Sequence, residues 1–281
     1  MGRRWPLRLV LGGAAAALLL PSLRLAAVAA SNTPTAATGP TCAPGRASRP
    51  MEPSRPGAAT PIATAAAPAA AQAAAQAGAT DYRQWLRPTP LGWARLDHWC
   101  VWVEPAASDG PARMWDERWL GAVERALGTW GQELVITRVA DPAAAQVRIL
   151  RRRPPLLREA SGRTRASHGR AELAVLAVDR GAGWILEPQV RVLISPGQRP
   201  EATEATAVHE LGHAFGLWGH SDDPADAMAA VPGPRPVLAL SPRDRATVRW
   251  LYQQPTDFGR PLPTAAVPTQ VGGASSGGEG R

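Results

Sequence analysis

HELGHAFGLWGHS, residues 209–221, is the stretch from which the rest of this 281-residue chain is best read. On a helix, His209 and His213 stand at i and i+4, one turn apart on the same face, so both imidazoles reach a single ion. Glu210 lies beside the first of them and is not needed as a ligand, which leaves its carboxylate free to take a proton from a water held at the ion. A catalytic ion of this kind takes three protein ligands and keeps one position open, and His220 is the candidate for the third. Gly216, three residues after His213, can adopt a left-handed conformation that ends the helix and turns the chain back toward the ion. Together these residues point to metal-assisted hydrolysis. The plainer reading, a helix that carries His, Glu and His for structural reasons, is weakened by the scarcity of histidine, of which the chain has five.

The spacing resembles that of the metzincin zinc peptidases, and within them the matrixin-like branch, whose pattern is H-E-x-x-H-x-x-G-x-x-H followed by a methionine-containing turn. SDDPADAM, residues 221–228, is similar to that turn. Met228 falls eight residues after His220, and His220-Ser221 is similar to the third-ligand pair of matrixins. The resemblance implies one catalytic Zn2+ held by His209, His213 and His220, with Glu210 as the catalytic base and Met228 as a structural floor below the histidines. Calcium is allowed by the resemblance but indicated by no residue. Two departures stand out. Leu217, Trp218 and Gly219 separate Gly216 from His220 where the family has two residues, and Ala230 stands where astacin-like and serralysin-like members carry a tyrosine. Gly219 is expected to absorb the extra residue as a bulge at positive φ, with Trp218 turned sideways onto apolar surface rather than toward the metal.

Outward from this stretch the chain divides by composition. Residues 1–30 read as an export signal: Arg3, Arg4 and Arg8 form a basic start, residues 9–20 an apolar core, and the small residues near Ala29 a cleavage site. Pro21 and Arg24 cut the apolar run short of the roughly twenty residues a spanning helix needs. The protein is therefore expected to be exported, periplasmic or extracellular, without a membrane span after cleavage. Residues 31–80 are rich in Ala, Pro, Thr and Gly and read as a low-complexity linker or pro-segment. Residues 261–281 read as a disordered tail. What remains, residues 81–260, has the size of one domain and holds ten of the eleven tryptophans.

The formal charge of +8 falls to +4 once Arg3, Arg4, Arg8 and Arg24 leave with the signal. The densest basic stretch runs from Arg151 to Arg170 without an aromatic residue, so it reads as a solvated loop and excludes a nucleic-acid platform of the stacking kind. Weak attraction to an acidic envelope polymer is the functional alternative. Cys42 and Cys100 are the only cysteines. In an exported chain they can pair, although nothing in the sequence fixes their separation. The resemblance offers Cys42 a second role, a thiolate that holds the zinc latent.

The coarse pattern is α/β, a mixed and mainly parallel twisted sheet with an active-site helix, a methionine turn and a C-terminal helix. Residues 99–104, 134–139, 147–150, 172–178 and 190–194 read as strands. Trp115, Trp119, Ala122, Val123, Ala126, Leu127 and Trp130 recur at helical spacing over residues 113–131 and read as a core stripe. The active-site helix is expected over residues 200–215. Ser241-Pro242-Arg243-Asp244 supplies an N-cap, a first-position proline and a first-turn acid for a last helix to Gln253. The run from Leu240 to Tyr252 also resembles the closing helix of matrixins. That likeness implies that the strand near residues 172–178 borders the cleft and pairs with an extended substrate, with the loop over residues 229–239 walling a pocket. His98 and His168, isolated in sequence, are not expected to be ligands.

The expected function is that of an exported zinc-dependent endopeptidase acting on a protein or peptide substrate. Two other readings stay open: a non-catalytic, zinc-stabilised module that binds envelope components, and a zinc hydrolase of a non-protein amide. A purely structural zinc site is ordinarily closed by a fourth ligand and needs no base, which sets Glu210 against the first of these.

Overall fold

The computed structural model describes residues 42–51, 80–107, 109–158 and 164–268. These belong to the compact unit Pro40–Arg281; the unit Met1–Gly39, and with it the expected signal, lies outside the described residues. In chain order the strands are β1 (Ala47–Pro50), β2 (Trp99–Val103), β3 (Ile136–Arg138), β4 (Val147–Leu150), β5 (Leu157–Arg158), β6 (Thr164–Arg165), β7 (Gly169–Asp179) and β8 (Trp184–Ile194). The helices are α1 (Arg113–Trp130), α2 (Pro200–Ala214) and α3 (Pro242–Gln253).

WCVWV, VRIL and the second half of β8 form the parallel centre of the sheet; Val147, Ile149, Val190 and Val192 are buried on one face, while Arg148 and Arg191, side by side on the other, are exposed. Val101 stands beside Val147 and Val147 beside Val190, while Trp99 stands beside Ile136. The full order is β1-β7-β8-β4-β2-β3, and β5 with β6 makes a separate two-stranded ribbon. β7 returns antiparallel along all eleven residues of β8, through a turn in which Gly181 and Gly183 take positive φ. Among the described residues the fold is thus mixed α/β with a six-stranded, mostly parallel sheet and three helices.

One helix face and one strand face meet in the core. Trp119, Ala122, Val123, Ala126, Leu127 and Trp130 of α1 are buried, and Trp130 donates its indole N–H to the Val208 carbonyl of α2 at 2.9 Å. Trp130 and Trp99 both pack on Phe215, with ring centroids 5.9 and 5.5 Å apart. Trp115 departs from the expected stripe. It is 60% exposed, in the first turn of α1.

Both low-complexity flanks need correction. Within the expected linker, residues 47–50 form the edge strand β1, with Ala47 opposite Asp179 and Pro50 opposite Leu176. Met51 continues the pairing through its N–H to the Val175 carbonyl. An edge strand needs main-chain partners more than an apolar run, which is why composition did not reveal it. At the other end, Pro261 bridges to Ile185 and the Leu262 N–H reaches the Trp184 carbonyl at 2.7 Å, so the ordered chain runs past the expected boundary at residue 260. Residues 52–79 and 269–281 lie outside the described residues.

Cys42 and Cys100 are joined in a disulfide, with Cα atoms 5.7 Å apart, which ties the segment before β1 to a central strand. That bond excludes Cys42 as a latency thiolate. Among the described residues no helix is long and apolar enough to cross a membrane.

Candidate metal centre

α2 begins at Pro200, whose fixed φ and missing N–H suit a first helical position, and it carries His209 and His213 on one face as the i, i+4 spacing requires. Gly216 closes the helix at φ +107°, its N–H bonding the His213 carbonyl while the Leu217 N–H bonds the Gly212 carbonyl. This pair of bonds is the Schellman closure that only a residue at home in left-handed backbone can complete. The chain then returns, and one nitrogen from each of His209, His213 and His220 falls within 4.8 Å of the others.

The geometry suits a metal. Two nitrogens each about 2.0–2.1 Å from a tetrahedral ion lie about 3.3–3.4 Å apart, and Nε2 of His213 lies 3.2 Å from Nε2 of His220. The Nδ1 atoms of His209 and His213 sit 2.8 Å from the carbonyls of Ala227 and Leu217. A carbonyl only accepts, so both Nδ1 atoms carry the proton and both Nε2 lone pairs face the shared centre. Burial keeps the rings neutral. It depresses His213 to about 3, with His209 adding to the effect, and it also lowers His209 and His220. His220 is exposed, so the centre is open to solvent on that side.

The extra residue before His220 is absorbed differently from expectation. Gly219 does not take positive φ. Instead two successive tight turns, Trp218 N–H to Gly216 carbonyl and Gly219 N–H to Leu217 carbonyl, shorten the path. Gly219 is required for a different reason. A Cβ there would collide with the carbonyl oxygen of Trp85 and come within 3.0 Å of the Leu86 Cα. Trp218 is likewise not directed away from the ligands. Its ring stacks on His213 at 5.6 Å between centroids and 16° between planes.

Glu210 is 9% exposed and holds no place among the ligand nitrogens. Burial pushes its carboxyl up to about 7, while the Ala171 N–H that it accepts and the nearby Arg170 pull the other way. β7 approaches so closely here that a Cβ on Gly169 would fall 2.6 Å from Cγ and Oε1 of Glu210. Gly169 and the Ala171 main chain therefore position the carboxylate, a role sequence reading missed because close approach across elements leaves no local pattern.

Met228 is fully buried beneath the histidines and fills the space left by Gly212. The turn that carries it is tied twice to the third histidine's neighbour, through Ser221 N–H to Met228 carbonyl and Ala230 N–H to Ser221 carbonyl. Asp244, wholly buried, completes a capping box with Ser241 and accepts the Ala227 N–H at 2.8 Å. Its other oxygen accepts the Tyr82 hydroxyl at 2.7 Å. A chain of contacts thus runs from Tyr82 through Asp244 and Ala227 to His209.

His98 binds Thr137 at 2.8 Å and lies beside Cys42 and Cys100, whose sulfurs are spent in the disulfide. Arg151, expected in a solvated loop, is folded inward against Asp116 at 2.9 Å. The sequence matches no model of a known protein family, and no curated protein matches it either.

Proposed function

We propose that this chain is an exported, zinc-dependent endopeptidase of matrixin-like, metzincin type. The observation that carries the reading is the convergence of three neutral imidazoles on one centre beside a buried carboxylate that is not among them. Bound there by His209, His213 and His220, a zinc ion would supply Lewis acidity toward a carbonyl group and a water molecule. Glu210, steadied by the Ala171 N–H, takes a proton from the attacking water and returns it to the leaving amine nitrogen. His209 and His213 keep their Nδ1 protons on carbonyls, which aims their Nε2 lone pairs inward.

The substrate is an extended peptide. β7 is the strand nearest Glu210, and β1 covers its outer edge only over residues 176–179, with Met51 reaching Val175. Residues 169–174 have no strand partner on that edge among the described residues, so a peptide can add there by main-chain pairing.

Cleavage of a peptide library by the zinc-loaded full chain, with and without chelator, tests the proposal. Glu210→Ala should keep near-stoichiometric zinc and lose hydrolysis, whereas His213→Ala should lose both. A Glu210→Ala variant that cleaves as fast as the parent rules the mechanism out.

A further inference from the structure

β4 and β8 run parallel, and Arg151 and Pro196, just past their carboxyl ends, line one cavity of about 380 Å³, a volume in the small-molecule class. α1 and α2 both begin at its rim. Neither helix has a side-chain cap, and the N–H groups of Glu201 and Ala202 in the first turn of α2 have no partner among the described residues. Two helix N-termini therefore direct partial positive charge into one space.

The side chains add to that charge. Arg118, Arg151 and Arg199 line the cavity. Asp116 also lines it, but its carboxylate is taken by the Arg151 guanidinium and the Ala107 N–H. Arg118 is left with only the ring of Trp115, at 5.0 Å, and the Arg199 side chain has no ion pair or hydrogen bond among the described residues. Trp119, 4% exposed, lines the same cavity, and its indole N–H has no acceptor. Trp115, 60% exposed at the mouth, is the aromatic residue that the expected core stripe left unexplained.

We propose that this cavity binds an acidic saccharide, with the apolar face of a sugar ring on Trp115 and its carboxylate among Arg118, Arg199 and the first turn of α2. Two observations favour a sugar over an acidic peptide. The strands that end here are all interior to the sheet, so the cavity offers no unpaired edge to hold an extended main chain. An exposed indole beside unpaired guanidinium groups suits a ring with an apolar face and a charged substituent. The site is distinct from the metal centre. His209 lies nine residues after Pro200 on α2, about 14 Å along the helix axis.

Isothermal titration of the full chain at low salt with trigalacturonate tests this, with neutral maltotriose, hexaglutamate and AMP as the other arms. Trigalacturonate should bind, maltotriose should not, and high salt should weaken binding. Trp115→Ala and the double variant Arg118→Gln/Arg199→Gln should each weaken it about ten-fold or more. These side chains are exposed, so denaturant unfolding should match the parent. Affinity should be unchanged in Glu210→Ala and in chelator, which separates this site from the proposed hydrolysis. The proposal is overturned by absent trigalacturonate binding, by binding that the variants leave intact, or by tighter binding of hexaglutamate or AMP.

Discussion

The sulfur of Met228 occupies the place where Gly212 would carry a Cβ. Gly212 lies between the two helix histidines, so the methionine is pressed against α2 directly below the candidate ligands, with Cζ2 of Trp130 3.0 Å from the same point. Helix propensity alone favours Ala over Gly by about 1 kcal/mol, but overpacking a close-packed core costs about 1–3 kcal/mol. Gly212→Ala is therefore expected to destabilise the protein in urea unfolding. Adding Met228→Ala should recover part of that loss in a double-mutant cycle. A more stable Gly212→Ala variant would show that the methionine moves aside freely.

Asp244 acts on the candidate metal centre without touching it, by fixing the main chain at Ala227, whose carbonyl accepts from Nδ1 of His209. Loss of such outer partners costs about 10–100-fold in metal affinity. Asp244→Ala should weaken zinc binding on that scale in competition with a chromophoric chelator. Ser241→Ala, which removes the same helix cap but leaves the Ala227 contact, should cost about 1 kcal/mol of stability with little change in zinc affinity. Equal zinc affinities in the two variants would contradict this route.

The particular residues explain what sequence reading reached. The helix that carries His209 and His213, the strand at 147–150 and the capped last helix were legible because period, proline position and capping residues act within a few neighbours. Gly216 was legible for the same reason. Gly219 was assigned the wrong freedom, since its need arises from the Trp85 main chain more than a hundred residues away. β1, Gly169 and Gly212 were missed because each depends on what another element brings beside it. Trp115 fitted the helical stripe by spacing, yet spacing does not say which turn of a helix its neighbours leave uncovered.

Glu210 gives a pH signature to the metal-free protein. Its folded value of about 7 stands above the ordinary 4.5, so the stability it contributes is fully present below pH 4.5 and is lost as the pH rises through 7. His213 works in the opposite sense, with stability present above 6.5 and lost as the pH falls through about 3. Comparison of Glu210→Gln with the parent at matched pH isolates the first effect. In chelator, the variant should gain on the order of 1–3 kcal/mol at pH 8 and almost nothing at pH 4. A gain of the same size at both values would mean that the carboxyl is not held protonated by burial.

Gly219 offers the sharpest test of how the longer path to His220 is accommodated. Its backbone lies outside the positive-φ region, so alanine meets no strain in φ, and the obstacle is the Trp85 carbonyl that a Cβ would strike. A main-chain atom cannot rotate away as a side chain can. Strand and helix contacts elsewhere are untouched, so the displacement falls on the adjacent residue, His220, and on the stacked pair of Trp218 and His213. Gly219→Ala should lower zinc affinity by about ten-fold or more while changing urea unfolding of the metal-free protein far less. Replacing Trp85 by alanine should not rescue it, because the colliding oxygen belongs to the main chain. Zinc affinity within about two-fold of the parent would show that the 83–87 segment yields, and that the two tight turns before His220 are not held in place by it.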